Sequence, residues 1–210
     1  MLRYLYLIPQ GTDIHTFMLN KKKENITKFN DESLIAEYCD GQHAAFEILY
    51  QRHSDPLYRF ILRQCNHHIS QTEEIFQDIW MNVIKNSQQF RAESKFSTYL
   101  YQIARNKIID HARKSISHHE ADHSNESDIL EAAQNHRPDH KAQLDICIEL
   151  LQQCIQRLPD DQREAFVLKQ ESEHSLSELA QITQTTLETV KSRLRYAMKK
   201  LREWLPGECL

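Results

Sequence analysis

The densest chemistry in the sequence is a run of positive charge near its end. Lys191, Arg193, Arg195, Lys199, Lys200 and Arg202 fall between residues 191 and 202, and no acid interrupts them. Guanidinium and ammonium groups at that density suit the phosphates of nucleic acid, where counterion release supplies much of the affinity. The background is different: 26 Lys and Arg against 30 Asp and Glu leave a net charge of −4, so the run is a local concentration. A second constellation, Glu73, Glu74, Gln77 and Asp78, lies in a stretch with helical apolar spacing. Such a strip suits a basic protein surface. The plainer reading is negative charge near a helix N-terminus, where the macrodipole favours it. A third group is His118, His119, His123, His136 and His140. The spacing of His119–His123 and of His136–His140 would suit zinc on a helix. No cysteine or glycine-pinned loop accompanies these histidines, so they read as part of a solvated polar connection, and no metal or other cofactor is expected. The sequence has no phosphate loop, no glycine-framed nucleophile and no carboxylate pair outside charged helical faces, so it does not read as an enzyme.

The elements that must position these groups are helices. Three glycines in 210 residues are too few for the turns and bulges of a strand-rich fold. The expectation is an all-α protein of two small helical domains joined by a flexible linker, the second containing a helix-turn-helix. Residues 1–30 read as a poorly ordered leader, too short in its apolar run for a membrane span, and Met18 is an alternative start. Residues 31–114 form the first domain. An acid-started helix ends at Gly41, Pro56 starts a further turn, residues 72–86 follow a 3.6-residue apolar period, and residues 97–114 repeat it. Residues 115–140 are too polar to offset their ordering entropy and read as the linker. In the second domain, residues 141–205, Leu144, Ile148, Leu151 and Ile155 make one stripe. Cys39, Cys65, Cys147, Cys154 and Cys209 are odd in number and scattered without C-x-x-C spacing, which predicts free thiols and a reducing, cytoplasmic setting.

The second domain has the proportions of a DNA reader. Ser175 and Glu178 make a capping box for one helix, residues 183–185 make a short turn, and Thr186 caps a second helix with Val190, Leu194, Ala197 and Leu201 on its inner face. Leu187, Glu188, Thr189, Lys191, Ser192 and Arg195 are then exposed near the start of the second helix, where base edges and phosphates are reached. Gln184 stands where such turns often carry glycine, which predicts some backbone strain.

Three strings in this domain are Leu158-Pro159-x-x-x-Arg163, Leu176-x-Glu178-Leu179-Ala180 and Thr189-Val190-Lys191-Ser192-Arg193-Leu194. They resemble region 4 of bacterial RNA polymerase sigma factors, which reads the minus-35 promoter element. The run Glu73-Glu74-Ile75-Phe76-Gln77-Asp78-Ile79-Trp80 resembles region 2.2, which docks on a coiled coil of the largest polymerase subunit. Phe90-Arg91 and the run from Phe96 to Asn106 are similar to regions 2.3 and 2.4, with Tyr99 where a tryptophan is frequent. With no region 1.1 or region 3 visible, the resemblance is to the extracytoplasmic-function (ECF) group of the sigma-70 family. It implies polymerase contacts by Glu73, Glu74, Gln77 and Asp78, and minus-10 contacts by Arg91, Ser94, Lys95, Arg105, Asn106 and Arg113. It implies minus-35 contacts by Thr186, Glu188, Thr189, Lys191, Ser192 and Arg195. The implied partners are core RNA polymerase, through its largest and second-largest subunits, and promoter DNA, with an anti-sigma factor as a candidate regulator and no membrane. Phe90 and Phe96 read as core anchors rather than base-stacking rings. The rival reading is a free-standing helix-turn-helix regulator that binds paired half-sites unaided.

Overall fold

The computed structural model of the chain describes residues 28–91, 93–119 and 140–209. The leader up to residue 27 and the side chains of the five singled-out histidines lie outside the described residues. Eight α-helices and no strand occur among the described residues: α1 (Asp31–Cys39), α2 (His43–Gln64), α3 (Ile69–Asn86), α4 (Phe96–His119), α5 (His140–Gln156), α6 (Asp160–Glu171), α7 (Leu176–Thr183) and α8 (Leu187–Trp204).

Helices α1–α4 make the first unit. Asn30 caps α1 by accepting from the Ser33 N–H at 2.8 Å, and Gly41 at φ +90 turns the chain after it, as the sequence predicts. The core is Leu34, Leu49, Leu57, Phe60, Ile61, Ile75, Ile79, Val83, Phe96, Leu100 and Ala104. Each such large aliphatic or aromatic side chain contributes about 1.5–3 kcal/mol on burial. Pro56 does not start a helix. It lies inside α2, which runs through it. The missing N–H costs an internal hydrogen bond, and the buried Leu57, Phe60 and Ile61 on the same helix offset that cost. Helix α3 begins at Ile69, earlier than the period alone places it, and α4 continues to His119, so the backbone of residues 115–119 is helical.

Helices α5–α8 make the second unit around Leu158, Val167, Leu168, Leu179, Ile182, Val190, Ala197 and Leu201. Two expectations fail here. Of the α5 stripe only Ile155 is buried, while Leu144, Ile148 and Leu151 are exposed. The cysteines are not all free: Cys147 is bonded to Cys209, leaving Cys39, Cys65 and Cys154 as thiols. The odd count and wide spacing concealed a pair that the fold brings together from 62 residues apart.

Candidate promoter- and polymerase-contacting surfaces

The helix-turn-helix is built by local hydrogen bonds. The Ser175 hydroxyl accepts from the Glu178 N–H at 3.3 Å while the Glu178 carboxylate accepts from the Ser175 N–H at 2.7 Å, so the capping box closes as its residue types require. At the other end of α7 the chain turns through Gln184 in the left-handed region, φ 54 and ψ 43. The Thr185 N–H bonds Ala180 O at 3.0 Å and the Gln184 N–H bonds Gln181 O at 3.3 Å. Those bonds absorb the strain expected of a residue with a Cβ there. Thr186 then caps α8, accepting from the Thr189 N–H at 3.2 Å.

This geometry sorts the residues expected to read DNA on α8. Thr186, Glu188, Lys191 and Arg195 are exposed, and Thr189 and Ser192 are half-buried. The Thr186 and Thr189 hydroxyls bond each other at 2.8 Å, and the Ser192 hydroxyl donates to Thr189 O at 2.9 Å, so part of their hydrogen-bonding capacity holds the helix start. Lys191 pairs with Glu188 at 2.8 Å in an exposed i,i+3 contact that little energy holds. Arg193 turns inward to Asp161 at 2.6 Å and fastens α8 to α6. Arg195 lies against the Tyr196 ring. Among the described residues Arg195, Lys200 and Arg202 have no carboxylate partner.

On α3, Glu73, Glu74, Gln77 and Asp78 are all exposed, opposite the buried Ile75, Ile79, Trp80 and Val83. The helix starts at Ile69 and has no acid in its first turn, which removes the macrodipole as their main explanation. Asp78 meets Lys107 at 3.0 Å and Glu74 meets His111 at 3.4 Å, both across to α4, whereas Glu73 and Gln77 face outward.

The loop before α4 has an aromatic floor. Phe96 is buried, Phe90 half-buried, and the two rings meet edge to face at 5.9 Å with Tyr99 beside them, so both phenylalanines act as anchors. The Glu32 carboxylate, from α1, accepts from the Phe96 N–H at 2.8 Å and caps α4 from a distance. Over this floor Arg91 and Lys95 are exposed and Ser94 half-buried, and Asn106 and Arg113 are exposed further along α4.

Sequence reasoning missed the contact between the two units. Lys95 pairs with Glu178 at 2.8 Å and Arg105 with Glu164 at 2.8 Å, so two residues of the set expected to meet the minus-10 element are held by acids of the second unit. Glu171, nearly buried, receives Arg59 at 2.7 Å and also Arg63. Gln102 donates to Gln181 O at 3.2 Å, and the His174 ring meets the Ser97 hydroxyl at 3.1 Å. The Lys95 hydrogen bond, with further bonds from Ser175, holds the Glu178 carboxyl down at about 2 despite opposing desolvation. Burial pushes Glu164 the other way, above the usual carboxylate range, and Arg105 only partly restores it. A polar cavity of about 530 Å³ remains at the junction, lined by Arg52, His53, Tyr101 and His174 among others.

Two helical units in this order, an acidic strip on one and a basic recognition helix on the other, define the architecture of a two-domain sigma factor. Family comparison agrees: residues 49–116 match Sigma-70 region 2 and residues 148–201 match Sigma-70 region 4. The chain is 30% identical over 184 residues to the ECF RNA polymerase sigma factor SigW of Bacillus subtilis, covering 81% of this chain and 94% of the relative. It is 27% identical to the ECF sigma factor SigM of Mycobacterium tuberculosis over 84% of this chain and 85% of that protein. Among solved structures, the sigma factor RpoE in complex with the anti-sigma factor NepR from Bartonella quintana shares the fold, with a TM-score of 0.61 and 24% identity over 76% of this chain and 95% of that one. CnrH, in complex with the cytosolic domain of CnrY, does so at 0.59 and 20%, over 82% and 95%. The chain belongs to the ECF group of the sigma-70 family. It is an alternative sigma factor, acting with core RNA polymerase to direct transcription initiation at promoters, and the free-standing regulator is not favoured.

Proposed function

We propose that three groups of side chains divide the work of initiation between them. Glu73, Glu74, Gln77 and Asp78 on α3 meet the largest polymerase subunit. Arg91, Ser94, Lys95, Arg105, Asn106 and Arg113 engage the minus-10 element, and Thr186, Glu188, Thr189, Lys191, Ser192 and Arg195 the minus-35 element. Domain limits of 31–114 and 141–205 accompany this division, with residues 115–140 as the connection between them. The chain works by binding, without chemistry of its own, in the cytoplasm where the polymerase is. An anti-sigma factor fits as its regulator, because the comparable RpoE and CnrH structures each contain such a protein or a protein domain in complex. No helix among the described residues is long and apolar enough to cross a membrane.

One observation supports the polymerase assignment above the others. All four α3 residues are exposed on a helix whose opposite face is locked in the core, with Glu74 and Asp78 steadied by His111 and Lys107 of α4, which is how a rigid docking surface is made. The test is the double charge reversal Glu74→Lys with Asp78→Lys. The fold should survive, because exposed pairs contribute roughly 0–1 kcal/mol each. Co-purification with core polymerase and run-off transcription should be lost, while minus-35 DNA binding through α8 is retained. A folded double variant that transcribes normally would remove the assignment.

A further inference from the structure

We propose that Cys147 and Cys209 form a reversible thiol–disulfide site that straps the first half of α5 onto the end of the chain, and that low-molecular-weight disulfides are its oxidant. The fold places the two Cα atoms 5.4 Å apart, in reach of a disulfide, although 62 residues separate them in sequence. Both residues are half-buried, so a small disulfide can reach them. The approach is set by α8 and the short segment after it. Trp204 lies under the Arg157 guanidinium at 5.0 Å, just beyond the end of α5. The chain then folds back through a short helical turn, where the Cys209 N–H bonds Pro206 O at 2.9 Å.

The strap matters because little else holds that part of α5. Leu144 is 61% exposed, Ile146 52% and Ile148 45%, and from Leu144 onward full burial begins at Cys154 and Ile155. Between Leu144 and Gln153 no side chain is fully buried, and the covalent link ties this stretch to the end of the chain. Oxidation fixes where the connection from the first unit enters the second. Reduction frees the start of α5 and moves the effective anchor point to Cys154.

The exchange balances without a metal. A thiolate of the pair attacks the small disulfide, forming a mixed disulfide and releasing one small thiol. The second cysteine displaces the other small thiol and closes the protein disulfide. One small disulfide is reduced to two thiols as two cysteine thiols are oxidised, and the two protons pass to the departing thiolates. Two of the three other cysteines are poorer competitors, and Cys39 has no cysteine partner to close a disulfide with. Cys65 and Cys154 are buried, and burial pushes the Cys65 thiol up, away from the reactive thiolate.

The test uses the full chain equilibrated with oxidised glutathione or with dithiothreitol. The thiol count of the denatured protein should fall from five to three on oxidation, matching the three unpaired cysteines. Peptide mapping without reductant should recover Cys147 joined to Cys209. Amide hydrogen exchange across residues 144–153 should be several-fold slower in the oxidised protein, and the difference should vanish in Cys209→Ser and, separately, in Cys147→Ser. Oxidation that joins other cysteines, stops at glutathione adducts or links two chains would overturn the site. A correctly paired disulfide that leaves exchange across residues 144–153 unchanged would overturn the strap.

Discussion

The basic residues near α4 and those on α8 are alike in type and unlike in circumstance. Lys95 and Arg105 are taken up by Glu178 and Glu164 of the second unit, whereas Arg195, Lys200 and Arg202 have no carboxylate partner among the described residues. In this arrangement the second unit occupies part of the face proposed to meet the minus-10 element, while on α8 Arg195, Lys200 and Arg202 stay without an acid partner among the described residues. Positive charge alone therefore does not tell which surface is ready to bind. The acid opposite it decides, and here that acid lies 59 residues away in the Arg105 pair.

The largest expected effect tests the open face. Lys191→Ala and Arg195→Ala should each weaken binding of a minus-35 duplex by roughly 1–3 kcal/mol if they contact bases, or lower the salt slope by about one unit if they contact phosphate. Fluorescence anisotropy at several salt concentrations separates the two outcomes, and a double variant that binds as the parent does would erase the contrast. Next comes the hinge of the closed arrangement. Glu171→Ala leaves Arg59 and Arg63 without their shared carboxylate. Removing one member of a fully buried pair costs about 3–5 kcal/mol, and because Arg59 and Arg63 are partly exposed the loss here should fall well below that range. Energy transfer between dyes on the two units should fall as they separate.

A smaller effect should appear at the occupied face. Glu164→Gln removes the competitor for Arg105, so the polymerase–sigma complex should bind a minus-10 promoter fragment more tightly, by a fraction of the roughly 1–3 kcal/mol of a charged hydrogen bond. Arg105→Ala should lose less DNA affinity than Arg195→Ala, because it surrenders an internal partner along with an external one. The smallest effect is electrostatic and pH-dependent. Glu178 has a folded-state pKa depressed to about 2 from an ordinary 4.5. Its contribution is therefore fully present above about 4.5 and is lost as pH falls from there toward about 2. Acid titration of the inter-unit distance should show a component in that window that Glu178→Gln lacks.

The parts of this molecule legible in the sequence are those encoded locally. The capping box of Ser175 and Glu178, the Thr186 cap, the turn at Gln184 and the inner face of Val190, Ala197 and Leu201 each need only residues a few positions apart. Periodicity is a poorer guide where a pattern has no partner. The α5 stripe of Leu144, Ile148 and Leu151 repeats as a core face does, yet faces outward, because amphipathicity shows that a face exists and not what covers it. Pro56 reads as a helix start from propensity, but burial on both sides of it carries α2 through. The Cys147–Cys209 bond and the pairs between the units depend on tertiary proximity, which neither spacing nor composition contains.

The contacts of Glu171, Glu178 and Glu164 have a consequence best expressed as a population. With the two units together, only the separated fraction of molecules presents Lys95 and Arg105 without internal competitors, and the apparent affinity for promoter-bearing polymerase is the intrinsic affinity scaled by that fraction. Each 1.4 kcal/mol or so that favours closure lowers it about tenfold. On the proposed assignment, a molecule that gripped both units at once would silence the chain without touching a single side chain proposed to read the promoter, and a surface that bound the units apart would activate it by the same arithmetic.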